Sequence, residues 1–269
     1  MLDNLPILSL TVFSPLLGVL ILLFISKENG RWLRMIGTAA TFIPLILTVW
    51  LLSVFDFTGG RQFAEKATWI RLPLPTEYLP QGIGYYFDLN YSLAVNGISL
   101  ALVFMTALIC TMAALASIVQ IKKRWKAFYI WFLILETGIL GVFLAQDLFL
   151  FFVFFEITLI PMFFLIGFWG YKERERTANK FLIYNGIGSA FMLIAFIIII
   201  TTAGFSIHEQ VNESAGEVAQ YVYSGEMEVI KSNLMSSESL VSNAQFAINP
   251  FFMNEPLMIA VFILLLLAF

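Results

Sequence analysis

Residues Phe151 to Gly170 read FFVFFEITLIPMFFLIGFWG, an apolar stretch that contains one carboxylate, Glu156, and one proline, Pro161. A helix of about 20 such residues spans the roughly 30 Å hydrocarbon core of a bilayer. A charged side chain at that depth costs about 2.5–3.5 kcal/mol on insertion scales, so it normally faces protein or water and has a function. The stretch therefore predicts a membrane-spanning helix that carries a protonatable group.

The composition of the whole chain agrees with this interpretation. Hydrophobic residues make up 60% and charged residues 12%, with a mean hydropathy of +0.88, against about 45–50% and about 25% in soluble domains. We predict an all-α fold, a polytopic transmembrane helix bundle that forms a single domain over residues 1–269. The lone Cys110 and the lone His208 argue against a disulfide framework and against a metal site.

The chain contains six apolar runs long enough, or nearly so, to span a bilayer. The predicted spans are Ile7–Ile25, Met35–Phe55, Leu93–Ile121, Phe128–Ala145, Leu148–Trp169 and Phe181–Thr202. A seventh run, Leu257–Phe269, has only 13 residues, and we expect it to be a truncated span of the first part of an inverted-repeat fold.

Basic residues predict how the spans are oriented, because Lys and Arg concentrate in cytoplasmic loops. Of the 15 basic residues, 11 lie in alternate connections: Lys27, Arg31, Arg34, Lys122, Lys123, Arg124, Lys126, Lys172, Arg174, Arg176 and Lys180. The N-terminus is then expected outside a bacterial plasma membrane. The outward connections, 56–92 and 204–255, are expected to be solvated, the second partly helical, and neither is expected to carry chemistry.

Two ionisable side chains lie deep in the predicted spans, Glu136 in the fourth and Glu156 in the fifth. Burial raises the pKa of a carboxylate towards the range in which it exchanges protons at working pH. Proton transfer is therefore the predicted role of both. The alternative, a neutral acid that donates a hydrogen bond between helices, stays open for each.

Three neighbouring residues bear on this hypothesis. Pro161 is predicted to bend the fifth span and to free the carbonyl of Ile157. Lys180 is expected to extend towards the cytoplasmic interface, with inward modulation of a carboxylate as the alternative. Asp147 is expected to serve only the turn between the fourth and fifth spans.

Motifs in four of the runs resemble the M-type (chain 4) subunits of respiratory NADH:quinone oxidoreductase, complex I. Residues 151–170 are similar to the family pattern F-x-E-x-x-L-I-P-M-x-F-L-I-G-x-W-G. LETGILGVFLAQDLFLFF, from Leu135 to Phe152, and ANKFLIYNGIGSAFMLIA, from Ala178 to Ala195, resemble its flanking helices. VNGISL, from Val95 to Leu100, resembles V-D-G-I-S-L, with Asn96 where Asp is usual.

This resemblance implies that Glu156 is half of a Glu–Lys pair and that Glu136 matches a fourth-helix carboxylate. The family's partner lysine cannot be placed, because the sequence stops at Phe269. The implied function is proton translocation in a membrane-arm subunit, with NADH, flavin, iron–sulfur clusters and quinone in partner subunits and no cofactor in this chain. The expected partners are the other membrane-arm subunits and lipid, without nucleic acid.

Two other functions remain open. A subunit of a multicomponent Na⁺/H⁺ antiporter shares the helix plan and the buried glutamate. A truncated, inactive fragment that only assists assembly is the third hypothesis. The sequence lacks nucleotide-loop, haem and nucleophile motifs, so no redox or hydrolytic catalysis is expected within the chain.

Overall fold

A computed structural model of the chain describes residues 6–74, 84–212, 216–235 and 255–268. The helices are α1 (Ile7–Phe24), α2 (Gly30–Val54), α3 (Gly97–Gln120), α4 (Trp125–Leu144), α5 (Leu148–Trp169), α6 (Arg174–Ala203), α7 (Met227–Met235) and α8 (Glu255–Ala268). The strands are β1 (Gln62–Pro73), β2 (Gly84–Val95), β3 (Phe205–Asn212) and β4 (Gly216–Ser224).

The described part of the chain contains six helices, α1 to α6, that are long and apolar enough to cross a membrane. The predicted number of full spans and the mainly helical fold are therefore confirmed. Several boundaries differ from the predicted ones: α2 begins at Gly30 rather than Met35, and α4 begins at Trp125 rather than Phe128. Helix α3 begins at Gly97 because the residues before it belong to β2, and α6 begins at Arg174, so Lys180 lies within its second turn.

The seventh apolar run is also helical. Helix α8 has 14 residues, which at about 1.5 Å per residue is shorter than the roughly 30 Å hydrocarbon core. The chain as a whole divides into two compact units. One comprises Met1–Glu65, Leu93–Ala145 and Phe151–Asn185, and the other comprises Lys66–Ser92, Gln146–Leu150 and Gly186–Phe269.

In the first unit, α1, α2 and α4 pack around a shared apolar core. Its buried residues are Leu22, Leu33, Ala40, Phe128, Tyr129 and Leu133. Small residues allow the helices to approach closely. A Cβ atom built on Gly37 would lie 2.4 Å from Cγ of Tyr129, whose hydroxyl accepts a hydrogen bond from Ser117 of α3 at 2.9 Å. Gly37 therefore lets the ring of Tyr129 lie directly on the backbone of α2.

The start of α3 explains the unusual Asn96. Its side-chain oxygen accepts the Ser99 N–H at 2.8 Å, while its own N–H donates to Oγ of Ser99 at 2.8 Å. This is a reciprocal capping arrangement, which satisfies backbone groups that a helix terminus leaves without partners. Asn and Asp cap helices about equally well, so capping is retained despite the departure from the family pattern.

The second unit contains a feature that hydropathy did not predict, a four-stranded sheet in the order β1-β2-β4-β3. Strand β2 runs parallel to β4, and β3 and β4 form an antiparallel pair from Phe205–Tyr223 to Asn212–Gly216. Stacked rings of Tyr85, Phe205 and Tyr221 form part of its core. The outward connections were expected to be solvated loops, and they supply these strands; helix α7 agrees with the expected partial helicity.

The contact between Gly37 and Tyr129 leads to a test of packing. The substitution Gly37→Ala should lower the free energy of unfolding by about 1–3 kcal/mol, because the added methyl group forces the Tyr129 ring to move. Thermal unfolding of the purified chain in detergent measures this change. The control is Gly186→Ala in α6, where a Cβ atom meets nothing within 4 Å. Equal midpoints for the two variants would contradict the packing described.

Candidate functional site

Glu136 lies on the most buried face of α4. It is the twelfth of that helix's 20 residues, and its side chain is 0% exposed. Neither carboxyl oxygen has a hydrogen-bond partner among the described residues. The thiol of Cys110 in α3 is also buried. A buried carboxyl group without a partner is costly to keep, so its retention needs a reason beyond packing.

Glu156 lies near the middle of α5 and is partly buried. Its Oε1 atom is buried without a hydrogen-bond partner in the described residues. Helix α5 continues through Pro161 to Trp169. Proline has no N–H to donate, so the carbonyl of Ile157, beside Glu156, loses its usual helical donor. The predicted bend at Pro161 stays a prediction.

Small residues bring the two carboxylate-bearing helices together. A Cβ atom built on Gly138 would lie 2.7 Å from Cγ2 of Thr158, and one built on Gly141 would lie 2.3 Å from the ring of Phe154. Glycine at these positions permits the backbones to approach. Each contact lies within five residues of Glu136 or Glu156 along the chain, so α4 and α5 pack tightly beside the two carboxylates.

Lys180 has a different setting from the glutamates. Its side chain is exposed on α6, and no ion pair joins it to a carboxylate in the part of the chain that the structure describes. The structure therefore does not bring Lys180 together with Glu136 or Glu156. Its role as a modulator stays a prediction.

Asp147 is the site residue that sequence reasoning underestimated. Its Oδ1 atom accepts the N–H groups of Phe149 at 2.8 Å and Leu150 at 3.3 Å, so it caps α5 as the turn position suggested. The residue is also 0% exposed, and its Oδ2 atom has no hydrogen-bond partner among the described residues. The pKa of Asp147 is raised to about 6, and burial of the carboxyl group is the largest of the causes. No sequence signal distinguishes such a buried cap from an exposed one.

The connection between β4 and α7 passes beside Asp147. Main-chain hydrogen bonds join Leu148 N–H to the carbonyl of Gly225 at 2.8 Å, and Met227 N–H to the carbonyl of Gln146 at 2.9 Å. Glu226 forms an ion pair with Lys66 at 2.6 Å. The acidic outward connection, where no chemistry was expected, therefore places one of its glutamates beside a buried carboxylate.

Comparisons with known proteins agree with the resemblance found in the sequence. Residues 145–269 match the family described as NADH:quinone oxidoreductase/Mrp antiporter, TM. The NADH-quinone oxidoreductase subunit M of Rhodobacter capsulatus is 36% identical over 206 residues, which cover 74% of this chain and 36% of that protein. NADH-ubiquinone oxidoreductase chain 4 of Arabidopsis thaliana is 36% identical over 199 residues, 73% of this chain and 37% of that protein. The resemblance to the M-type subunits is confirmed, and the chain spans little more than a third of the length of these relatives.

Solved structures share the fold at lower identity. A chain of the archaeal membrane-bound sulfane sulfur reductase has a TM-score of 0.65 at 17% identity and covers 98% of this chain and 44% of its own. A chain of respiratory complex I from Thermus thermophilus has a TM-score of 0.62 at 21% identity, with 97% and 43% covered. A chain of the Mrp complex from Dietzia sp. has a TM-score of 0.61 at 14% identity, with 97% and 23% covered.

Glu136 has no hydrogen-bond partner among the described residues. A stability measurement can therefore test the alternative role of Glu136 as a neutral acid that donates a hydrogen bond between helices. Glu136→Leu should leave the free energy of unfolding within about 1 kcal/mol or raise it, because the substitution removes a buried polar group that no described residue satisfies. Thermal unfolding in detergent is the measurement. Tyr129→Phe, which removes a satisfied hydroxyl from the same helix, should lower stability by about 1 kcal/mol. A loss of about 1–3 kcal/mol for Glu136→Leu would instead identify Glu136 as a structural hydrogen-bond donor.

Proposed function

We propose that the chain forms part of a proton-translocating membrane-arm subunit of an NADH:quinone oxidoreductase. Residues 145–269 match the family described as NADH:quinone oxidoreductase/Mrp antiporter, TM, which supports this proposal. The observation that carries the proposal is Glu136, a fully buried carboxyl group without a hydrogen-bond partner among the described residues. It lies in a helix that packs against the helix carrying Glu156. Intramembrane carboxylates of this kind mark proton relays.

The two glutamates act as successive proton-holding groups in this proposal. Each can take up a proton as a neutral acid and release it as a carboxylate. In this proposal, water completes the path between the two glutamates. Unpaired backbone at membrane depth is tolerated where it lines a water-filled cavity. The carbonyl of Ile157, left without its helical donor by Pro161, is an acceptor for such a water beside Glu156.

The redox reaction belongs to partner subunits in this proposal. Among the residues that the structure describes, no three His, Cys, Asp or Glu side chains lie together in a way that fits a metal ion. NADH, flavin, iron–sulfur clusters and quinone are placed in the partners. The chain's own contribution is to hold protons at Glu136 and Glu156 while those partners react.

Orientation is part of the same proposal. The basic residues concentrate in the α1–α2, α3–α4 and α5–α6 connections and the start of α6. By the positive-inside rule, this distribution supports a cytoplasmic side for those connections. The strands and α7 then belong to the outer side of a bacterial plasma membrane. Protons would enter near the basic connections and leave on the side of the strands.

A subunit of a multicomponent Na⁺/H⁺ antiporter is the second candidate, since the matched family includes Mrp antiporters by its description and the Dietzia Mrp chain shares the fold. The Rhodobacter and Arabidopsis relatives, at 36% identity, are named as quinone oxidoreductase subunits, which favours the first candidate. Cation dependence separates the two. An antiporter exchanges Na⁺ for H⁺ without NADH, whereas the proposed subunit moves protons only when NADH is oxidised.

The proposal is tested by Glu156→Gln in the complex within its native membrane. NADH-driven acidification of inverted vesicles should fall by at least roughly tenfold, as for other groups that transfer protons, because an amide cannot carry a proton at this position. NADH oxidation by an artificial electron acceptor should persist and so report intact assembly. The control is Glu175→Gln, an exposed carboxylate in the first turn of α6, which should pump normally.

Three results would contradict the proposal. Normal pumping by the Glu156→Gln variant would remove this residue from the proton path. Normal pumping after deletion of the whole chain would favour the inactive assembly fragment. Acidification that follows a Na⁺ gradient in the absence of NADH would favour the antiporter.

A further inference from the structure

The two carboxyl oxygens of Asp147 have different surroundings. Oδ1 accepts the two N–H groups at the start of α5, which is the whole of what a helix cap requires. Oδ2 is buried and has no hydrogen-bond partner among the described residues. Both oxygens lie close to Gly225, where a Cβ atom would approach them to 2.7 and 3.1 Å. Capping therefore accounts for one oxygen and leaves the other unexplained.

An ion pair lies next to this carboxyl group. Glu226 forms an isolated β-bridge with Asp147, and its side chain pairs with Lys66 of β1 at 2.6 Å. The charges of Lys66 and Glu226 both interact with Asp147, in opposite directions. Side-chain exposure is 53% for Lys66 and 17% for Glu226, so the pair lies between solvent and the buried aspartate.

A polar cavity of about 390 Å³ opens beside this ion pair. Its walls include Lys66, Glu226 and Glu228, together with a second ion pair in which Arg71 donates to both oxygens of Asp88 at 2.8 and 2.7 Å. Arg71 and Asp88 neutralise each other through a bidentate contact, the strongest geometry for such a pair. The single-contact pair of Lys66 and Glu226 is the one whose charge Asp147 can perturb.

We propose that Asp147 is a proton-binding group at the end of the α4–α5 connection, and that it exchanges its proton with the polar cavity through the Lys66–Glu226 pair. The inference rests on the proposed proton-translocating function and adds a third proton-binding residue, on the side of the strands. Oδ2 takes a proton from water and the aspartate becomes neutral, so Lys66 then faces one carboxylate, Glu226. When the proton leaves, Lys66 faces two carboxylates, and the cluster carries one net negative charge.

The balance of nearby charges suits such exchange. Burial raises the pKa of Asp147, the two capping N–H groups lower it, the negative charge of Glu226 raises it and Lys66 lowers it, and the net result is a pKa of about 6. Asp147 is therefore present in both forms near neutral pH. A carboxylate that served only as a cap, exposed to water, would remain ionised throughout this range.

The titration of Asp147 can be observed directly, without any transport measurement. Infrared spectra of the full chain in lipid should contain a protonated-carboxyl band that disappears with a midpoint near the value of about 6 given by its surroundings, and Asp147→Asn should abolish it. Glu226→Gln should lower the midpoint by about one pH unit, because it removes a like charge. Lys66→Gln should raise it. The matched control is Asp88→Asn, a buried carboxylate in the same cavity, which should leave the band in place.

A stability measurement gives the same titration a second readout. The pKa of Asp147 in the folded chain, about 6, lies above its ordinary value of 3.8, so its contribution to stability is fully present below that ordinary value and is lost as the pH rises through the folded pKa. Asn caps a helix as well as Asp. The thermal midpoint of the natural chain should therefore fall relative to that of Asp147→Asn between about pH 4 and pH 7.

Pumping completes the test in the native membrane. Asp147→Asn should reduce NADH-driven acidification several-fold, with oxidation by an artificial acceptor retained. The inference is overturned by a carboxyl band that Asp147→Asn leaves unchanged, by a midpoint near the ordinary pKa of an aspartate, or by normal pumping in this variant. Normal pumping by Glu156→Gln would instead overturn the proposed function, and the infrared titration would still report on Asp147 alone.

Discussion

The hydrocarbon core of a bilayer offers no hydrogen bonds, and this constraint organises the chain. Every backbone N–H and C=O at membrane depth must find a partner within the protein. A helix provides these partners within its own segment, as in α1 to α6. The same constraint makes each polar side chain at that depth expensive. Most such groups satisfy themselves locally, as Thr137 does by donating to the carbonyl of Leu133 at 3.0 Å. Among the described residues, Glu136 and Glu156 have buried carboxyl oxygens without a hydrogen-bond partner, and these two residues define the candidate site.

Small residues allow the helices that carry Glu136 and Glu156 to pack closely. Gly138 and Gly141 allow α5 to press its Thr158 and Phe154 side chains against the backbone of α4. Van der Waals contact of this kind is the main source of helix association in a membrane, where burial of apolar surface gives little gain. The two carboxyl groups therefore lie on helices that pack closely against each other.

Outside the spans, water is available and a different architecture becomes possible. The strands β1 to β4 bury a stack of aromatic rings. Strands β1 and β2 carry the ion pair Arg71–Asp88, and Lys66 of β1 pairs with Glu226, which follows β4. Main-chain contacts with the connection that carries Gly225 and Glu226 hold the Asp147 turn in this unit. One aspartate thus serves the start of α5 and also faces charged groups from segments far away in the sequence.

Hydropathy alone determined the number of spans, since a run of about 20 apolar residues has one low-energy arrangement in a bilayer. The same pattern identified Glu136 and Glu156, because ionisable residues are rare within such runs. The strands escaped this reasoning, because hydropathy does not predict them. The pairing of β2 with β4 joins residues more than a hundred positions apart and depends on contacts that no local pattern encodes. The setting of Asp147 was likewise decided only by tertiary structure, because burial and the approach of Lys66 and Glu226 arise when distant segments meet.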